Sequence, residues 1–340
     1  MARNNNKMVK RRKIEPAVMT VQLNLNIPAT STVTRTLDLS QVASLLNRRF
    51  YRQGLNWAVG GFKMLSSTVS PLNGSVRIDK LPQTWVMSNA WHKSFAHWQE
   101  MNNNALAESE SVRPRFLDFK IYANATHHTA GYGDNLLPVA TTMAIPGEWE
   151  ASKMVIPIGA ASPGNTADRE ILAVGANYPG PGFSGLDAVS LIEGYAASRG
   201  LPNVLDPNAP SDADDATGFN PGNWLAATFS EGTDQTQDVL EFMISENNIA
   251  PYPFENDGVN LDTMYPGGAN QLVGLQTHDL EFTTGTTIGA TTRLKGGLFP
   301  CGLVQFTFAN NAETSVTHDI LIDLVPGSHR GYLAEPMQDM

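Results

Sequence analysis

Six basic side chains stand within the first thirteen residues: Arg3, Lys7, Lys10, Arg11, Arg12 and Lys13, with no acid among them. Cationic groups at this density attract polyanions, and Lys10-Arg11-Arg12-Lys13 also reads as a nuclear import signal. Asn4, Asn5 and Asn6 add no apolar anchor to this stretch. It cannot bury enough surface to offset its ordering entropy, so residues 1–19 are expected to form a disordered basic arm. The remaining chain has 17 basic and 33 acidic side chains, −16 against the arm's +6. An acidic body repels nucleic acid, which confines binding to the arm and whatever surface lies beside it.

Asp206, Asp212, Asp214 and Asp215 lie in one loop. Calcium takes several carboxylate oxygens, but their spacing does not fit the helix-loop-helix calcium motif, and a solvated acidic loop is the plainer reading. No cofactor is expected otherwise. Gly180-Pro181-Gly182-Phe183-Ser184-Gly185 matches G-x-G-x-x-G, with Asp206 about 20 residues further on. No run of βα units surrounds it, Pro181 sits inside the turn, and it reads as a glycine-rich loop opening a helix. His127 and His128 would point to opposite faces of a strand, which makes them poor co-ligands. His92 and His97 miss the i, i+4 spacing of a zinc helix. One cysteine, Cys301, excludes an internal disulfide and reads as a buried thiol. With no Walker A sequence, nucleophile elbow or H-E-x-x-H, the chain is not expected to be an enzyme.

The elements that must position these groups read mainly as β-structure. Val21, Leu23, Leu25 and Ile27 alternate with polar residues, the period-2 pattern of a half-buried strand. Val76 and Ile78, Leu117 to Ile121, Met154 to Ile158, Val304 to Phe308, and Val316 to Leu324 repeat it. Pro157 marks its strand as an edge. Strands at both chain ends predict that the two ends share a sheet. Three helices interrupt the pattern. One begins near Ser88 or Asn89, with Trp91, Phe95 and Trp98 on one stripe. A second runs from Leu186 to Arg199, and a third from Gln235 to Glu246. Pro202 to Asn223 reads as an exposed loop. Trp57, Trp85, Trp91, Trp98, Trp149 and Trp224 read as core packing. Hydrophobic residues are 41% of the 340, enough for a sizeable core. Charged residues are 16%, below the roughly 25% of a typical soluble domain, a hint that much surface faces other protein. No apolar run is long enough to span a membrane. The expected fold is an all-β, single jelly-roll sandwich over residues 20–340, with helices inserted in long loops.

Three blocks carry a resemblance. Lys80-Leu81-Pro82-Gln83-Thr84-Trp85-Val86-Met87-Ser88-Asn89-Ala90-Trp91-His92-Lys93-Ser94-Phe95, continuing to Trp98, is similar to capsid proteins of environmental Rep-encoding circular single-stranded DNA (CRESS-DNA) viruses. So are Asp118-Phe119-Lys120-Ile121-Tyr122 followed by His127-His128, and the C-terminal Leu324 to Leu333 with Glu335 to Met340. The resemblance implies a jelly-roll coat protein that self-assembles into a small icosahedral T=1 shell of about 60 copies around circular single-stranded DNA. It implies a lumenal basic arm (Arg3, Lys7, Lys10, Arg11, Arg12, Lys13), a virion and host-nucleus location, a host receptor and no membrane insertion. The arm is shorter than in many small-virus coats. About 60 copies bring about 360 positive charges, well short of a genome's phosphates, so other cations must share the neutralisation. Two alternatives stay open: an RNA-virus coat, and a cellular jelly-roll carbohydrate-binding domain with an aromatic and polar pocket.

Overall fold

The structure is a computed structural model that describes residues 17–67, 72–107, 109–114, 117–139, 149–158, 165–198, 220–222, 224–228, 274–284 and 290–340. The chain opens with β1 (Thr20–Ile27), β2 (Ser31–Asp38), α1 (Leu39–Asn47), β3 (Leu55–Ser66) and β4 (Asn73–Lys80). Then follow α2 (Trp85–Leu106), α3 (Ala125–Ala130), β5 (Lys153–Ile158), β6 (Asn165–Leu172), β7 (Ala188–Ser190), α4 (Leu191–Ala197) and α5 (Trp224–Ala227). The chain closes with β8 (Gln276–Thr284), β9 (Thr291–Phe299), β10 (Leu303–Asn310), β11 (Val316–Leu324), β12 (Pro326–Gly327), β13 (Gly331–Tyr332) and β14 (Ala334–Pro336).

Eight of these strands form an all-β sandwich. One sheet runs β1-β11-β3-β9, with β14 extending the β11 side of β3; the other runs β2-β10-β4-β8. All pairings within both are antiparallel. The alternation read along β1 sets its register: Val21 faces Ile322 and Leu23 faces Ile320 on β11, and all four are buried. The two chain ends therefore share a sheet, as the sequence predicts. A one-residue slip would turn every one of these apolar side chains to the other face. Val76 and Ile78 of β4 and Phe306 and Phe308 of β10 enter the same core from the second sheet. Phe62 meets Phe299 and Phe306 edge-on at 5.5 and 5.7 Å. Each such fully buried side chain contributes about 1.5–3 kcal/mol.

Over half of the chain, residues 81–275, is inserted between β4 and β8. Its described elements build a second apolar cluster. Met87, Ala90, Trp91 and Trp98 of α2 pack with Ile121, Met154, Ile156, Ile171 and Trp224. The sandwich closes that cluster with Cys301, Leu303 and Met337. The Ser88 hydroxyl donates to the Met337 carbonyl at 2.7 Å, and the Cys301 N–H meets the Met337 sulfur at 3.2 Å. Cys301 is the buried thiol the sequence suggests, and burial pushes its pKa up. The Cα of Gly302, at φ +65°, faces the Trp57 indole so closely that a Cβ would stand 2.9 Å from the ring.

Several local expectations are corrected. Helix α2 starts earlier than Ser88, because Thr84 caps it by accepting from the Met87 N–H at 3.4 Å. Leu117 to Tyr122 is an extended segment rather than a ladder strand. Its backbone bonds go to the Gln53 side chain, to Ser152 and to Ile171, with one isolated bridge from Tyr122 to Leu172. The region from Leu186 is first β7 and only then α4, because Glu170 to Leu172 of β6 pair in parallel with Ala188 to Ser190. The glycine-rich loop therefore leads into a strand, not a helix. His127 and His128 lie on helix α3, capped by Asn124, not on a strand. Pro157 does sit on an edge strand, β5 of the sheet β5-β6-β7. The helix expected at Gln235 to Glu246 and most of the loop Pro202 to Asn223 lie outside the described residues.

Candidate functional site

The described chain begins at the root of the basic arm. The Val18 N–H donates to Asn47 Oδ1 at 3.1 Å, and the Val18 carbonyl accepts from the Tyr332 hydroxyl at 2.7 Å. Asn47 Nδ2 also donates to the Tyr332 hydroxyl, at 2.7 Å. The arm root is thus held between the end of α1 and the C-terminal turn. Both of those elements carry arginines. Arg48 ends α1 in the left-handed conformation, Arg49 and Arg52 follow it, and Arg330 sits in the turn at φ +50°. Arg48, Arg52 and Arg330 are exposed. The Arg330 guanidinium donates to the Phe50 carbonyl, and the Arg330 carbonyl accepts from the Tyr51 hydroxyl at 3.1 Å, which ties the two loops together.

A cleft of about 580 Å³ opens at this junction, with Arg52, Arg330, Trp91, Phe95, Trp98 and Asp118 among its lining residues. The Trp91 and Phe95 rings stack at 4.9 Å and 13°, and Phe95 continues the stack to Trp98 at 6.2 Å. Helical spacing of i, i+4 and i+7 places the three on one face of α2. Asp118 accepts from the Gln53 N–H at 3.1 Å through Oδ1. Burial raises its pKa to about 6 against the pull of nearby Lys120. Among the described residues, neither Asp118 Oδ2 nor Trp91 Nε1 has a hydrogen-bond partner, although both atoms are buried.

A second cleft, of about 680 Å³, lies across the insert and is lined by Tyr122, Tyr132, Trp149, Phe183, Glu150 and Glu170, among others. Beneath it, His128 Nε2 and Glu170 Oε2 meet at 2.9 Å, with both side chains buried. His127 points elsewhere. Its Nδ1 accepts from the Ala123 N–H at 3.1 Å, so the neutral ring donates Nε2–H to Asn135 Oδ1 at 2.8 Å. The two histidines serve different partners and do not converge on one ligand.

Burial lowers His127 and His318 to about 4 from an ordinary 6.5 and raises Asp118 to about 6 from 3.8. The histidine contribution to stability is complete above pH 6.5 and is lost as pH falls toward 4, where the unfolded chain alone takes up protons. Asp118 opposes this, since its folded form protonates first between pH 6 and 3.8. Between pH 7 and pH 5 the histidines lose about 2 kcal/mol each and Asp118 returns about 1 kcal/mol. Urea melts should therefore show a protein about 2–3 kcal/mol less stable at pH 5 than at pH 7. Equal or greater stability at pH 5 would contradict these assignments.

The arm residues Arg3, Lys7, Lys10, Arg11, Arg12 and Lys13 lie outside the described residues, as do Asp206, Asp212, Asp214 and Asp215. Among the described residues no cluster of three histidine, cysteine or acidic side chains could hold a metal ion. No helix among them is long and apolar enough to cross a membrane. The tryptophans pack as expected: all but Trp85, which is half-buried, are buried. Sequence reasoning missed the arginine cluster. Its signal was present in Arg48-Arg49-Phe50-Tyr51-Arg52, three guanidinium groups interleaved with two aromatics. Arg330 could not be joined to that run without the fold. No protein-family model, curated protein or solved structure matches the chain.

Proposed function

We propose that this chain is the coat protein of a small single-stranded DNA virus, which assembles into a closed icosahedral shell and packages its circular genome through the basic arm. The observation that carries the reading is the strand order. Eight strands divide between two sheets in the orders β1-β11-β3-β9 and β2-β10-β4-β8, changing sheet at every step except β4 to β8, with the first and last of the eight paired. We read that order as jelly-roll wrapping, a sandwich suited to symmetric packing. The edge strand β8 adds support. It leaves Leu280 48% and Phe282 69% exposed within one copy, apolar surface of the kind a neighbouring subunit covers. Lys10 to Lys13 would bring the protein into the host nucleus, and the arm would bind phosphate without reading bases.

Negative-stain electron microscopy of the full-length protein tests the reading. Uniform closed particles are expected, with empty shells from a chain lacking residues 1–13. Only monomers or dimers across salt, pH and added DNA would overturn it. Nuclease sensitivity of the packaged polymer separates a DNA coat from an RNA coat. A second reading, carbohydrate binding, draws on the Trp149 cleft, where aromatic faces adjoin Glu150 and Glu170. Calorimetric titration of unassembled protein with simple sugars distinguishes it, since a coat protein that only packages nucleic acid should give no heat.

A further inference from the structure

The cleft at the arm root has a composition that neither shell assembly nor arm binding uses. We propose that it is a binding site for single-stranded DNA on the folded body, with phosphates held by Arg52 and Arg330 and a base set against the wall that carries Phe95. This rests on the coat-protein reading and deepens it.

Four observations converge. First, four of the 17 basic side chains outside the arm, Arg48, Arg49, Arg52 and Arg330, belong to this one junction. Arg48, Arg52 and Arg330 are exposed and form no ion pair among the described residues. Guanidinium groups match phosphate oxygens in pairs. The Arg330 bond to Phe50 keeps the two arginine-bearing loops on one opening. Second, Phe95, the half-buried member of the stack whose Trp91 and Trp98 are buried, lines that opening, and aromatic side chains hold unpaired bases without sequence preference. Third, Trp91 Nε1 and Asp118 Oδ2 are a buried donor and a buried acceptor on the cleft wall with no described partner. Orphaned polar atoms of this kind are costly unless a ligand satisfies them, and a base edge, thymine's included, offers both an N–H and a carbonyl. Fourth, the first described residue packs here: a Cβ on Gly331, beside Arg330, would meet the Ala17 methyl at 2.7 Å, and Ala17 follows the basic stretch of residues 1–13 in sequence by four positions. Asp118 is the acid within the cleft; Glu335, nearby, is held by Asn56 Nδ2 at 2.9 Å.

The test uses the full-length protein and a fluorescent oligo(dT). The variant Arg52→Gln with Arg330→Asn removes two exposed charges that line the cleft, and asparagine tolerates the left-handed backbone at position 330. Its log affinity against log salt should flatten by about 1.4, the value for two lost single-strand phosphate contacts. Phe95→Leu should weaken binding of oligo(dT) and leave an abasic oligomer unaffected. Ultraviolet cross-linking with an iododeoxyuridine strand should place adducts on Trp91, Phe95, Trp98 or His329. Unchanged melting of each variant establishes that the fold is kept. A wild-type salt slope, with adducts confined to residues 1–13, would overturn the cleft. Tighter binding of the ribo-oligomer would overturn the commitment to DNA. Electron microscopy of the same samples separates the two ideas: shells without cleft adducts sink the cleft alone, and cleft adducts without shells sink the coat reading alone.

Discussion

Replacing Asp38 with alanine is expected to destabilise the protein by about 3–5 kcal/mol, the summed cost of a lost helix cap and of buried donors left without an acceptor. Asp38 ends β2, caps α1 and is fully buried. Its Oδ1 accepts from the Ser40 N–H at 2.8 Å, the Ser40 hydroxyl at 2.6 Å and the Gln41 N–H at 3.3 Å. Its Oδ2 accepts from the Trp149 indole N–H at 2.7 Å and from Gln53 Nε2 at 3.3 Å. Gln53 in turn receives the Ile121 N–H at 2.7 Å and donates to the Ile121 carbonyl at 3.2 Å. One carboxylate therefore joins the sandwich, α1 and the insert. Alanine loses the cap, about 1 kcal/mol, and strands buried donors at about 1–3 kcal/mol each. Asp38→Asn keeps an acceptor for the cap but turns an amide donor toward Trp149, so it should fall between the two. Urea denaturation checks both; a loss under about 1 kcal/mol for the alanine variant would show that the network bears little of the stability.

Trp57→Ala is expected to cost about 3–5 kcal/mol by cavity formation. The side chain is fully buried in β3, with Tyr51 and Tyr332 at ring separations of 6.0 and 5.6 Å and His329 edge-on at 6.5 Å. Trp57 also pairs with Phe299 on one side and Ala334 on the other, so the cavity would loosen the C-terminal segment that holds the arm root. Trp57 Nε1 has no hydrogen-bond partner among the described residues. Trp57→Phe therefore keeps most of the volume, strands no acceptor and should cost under about 1.5 kcal/mol. Comparable losses for both variants, read from thermal or urea melts, would contradict the cavity argument.

The strands that sequence reasoning found are those with strong alternation: β1, β4, β5, β10 and β11. Those it missed carry weaker patterns for identifiable reasons. β2, Ser-Thr-Val-Thr-Arg-Thr-Leu-Asp, is mostly polar, and none of its first five residues is buried. β3 begins with five consecutive buried residues, so no period of two is visible there. β6, Asn-Thr-Ala-Asp-Arg-Glu-Ile-Leu, is polar for most of its length. Leu117 to Ile121 erred the other way. Its alternation is real, since Phe119 and Ile121 are buried, but its backbone partners are side chains and loops instead of a neighbouring strand.

By itself the sequence determined the β-rich class, the pairing of the chain ends, the buried Cys301 and the separation of a basic arm from an acidic body, because composition and period-2 burial are local properties. It also held the arginine-aromatic run of residues 48–52 in plain view. Tertiary structure alone decided that Arg330, about 280 residues away, faces that run, and that Asp118 and the α2 aromatics complete the same cleft. Only the fold decided that Asp38 reaches Trp149 and Gln53. Such convergence depends on strand order and on which loops lie at one end of the sandwich. These are set by summed burial over the whole chain, and no short window of residues encodes them.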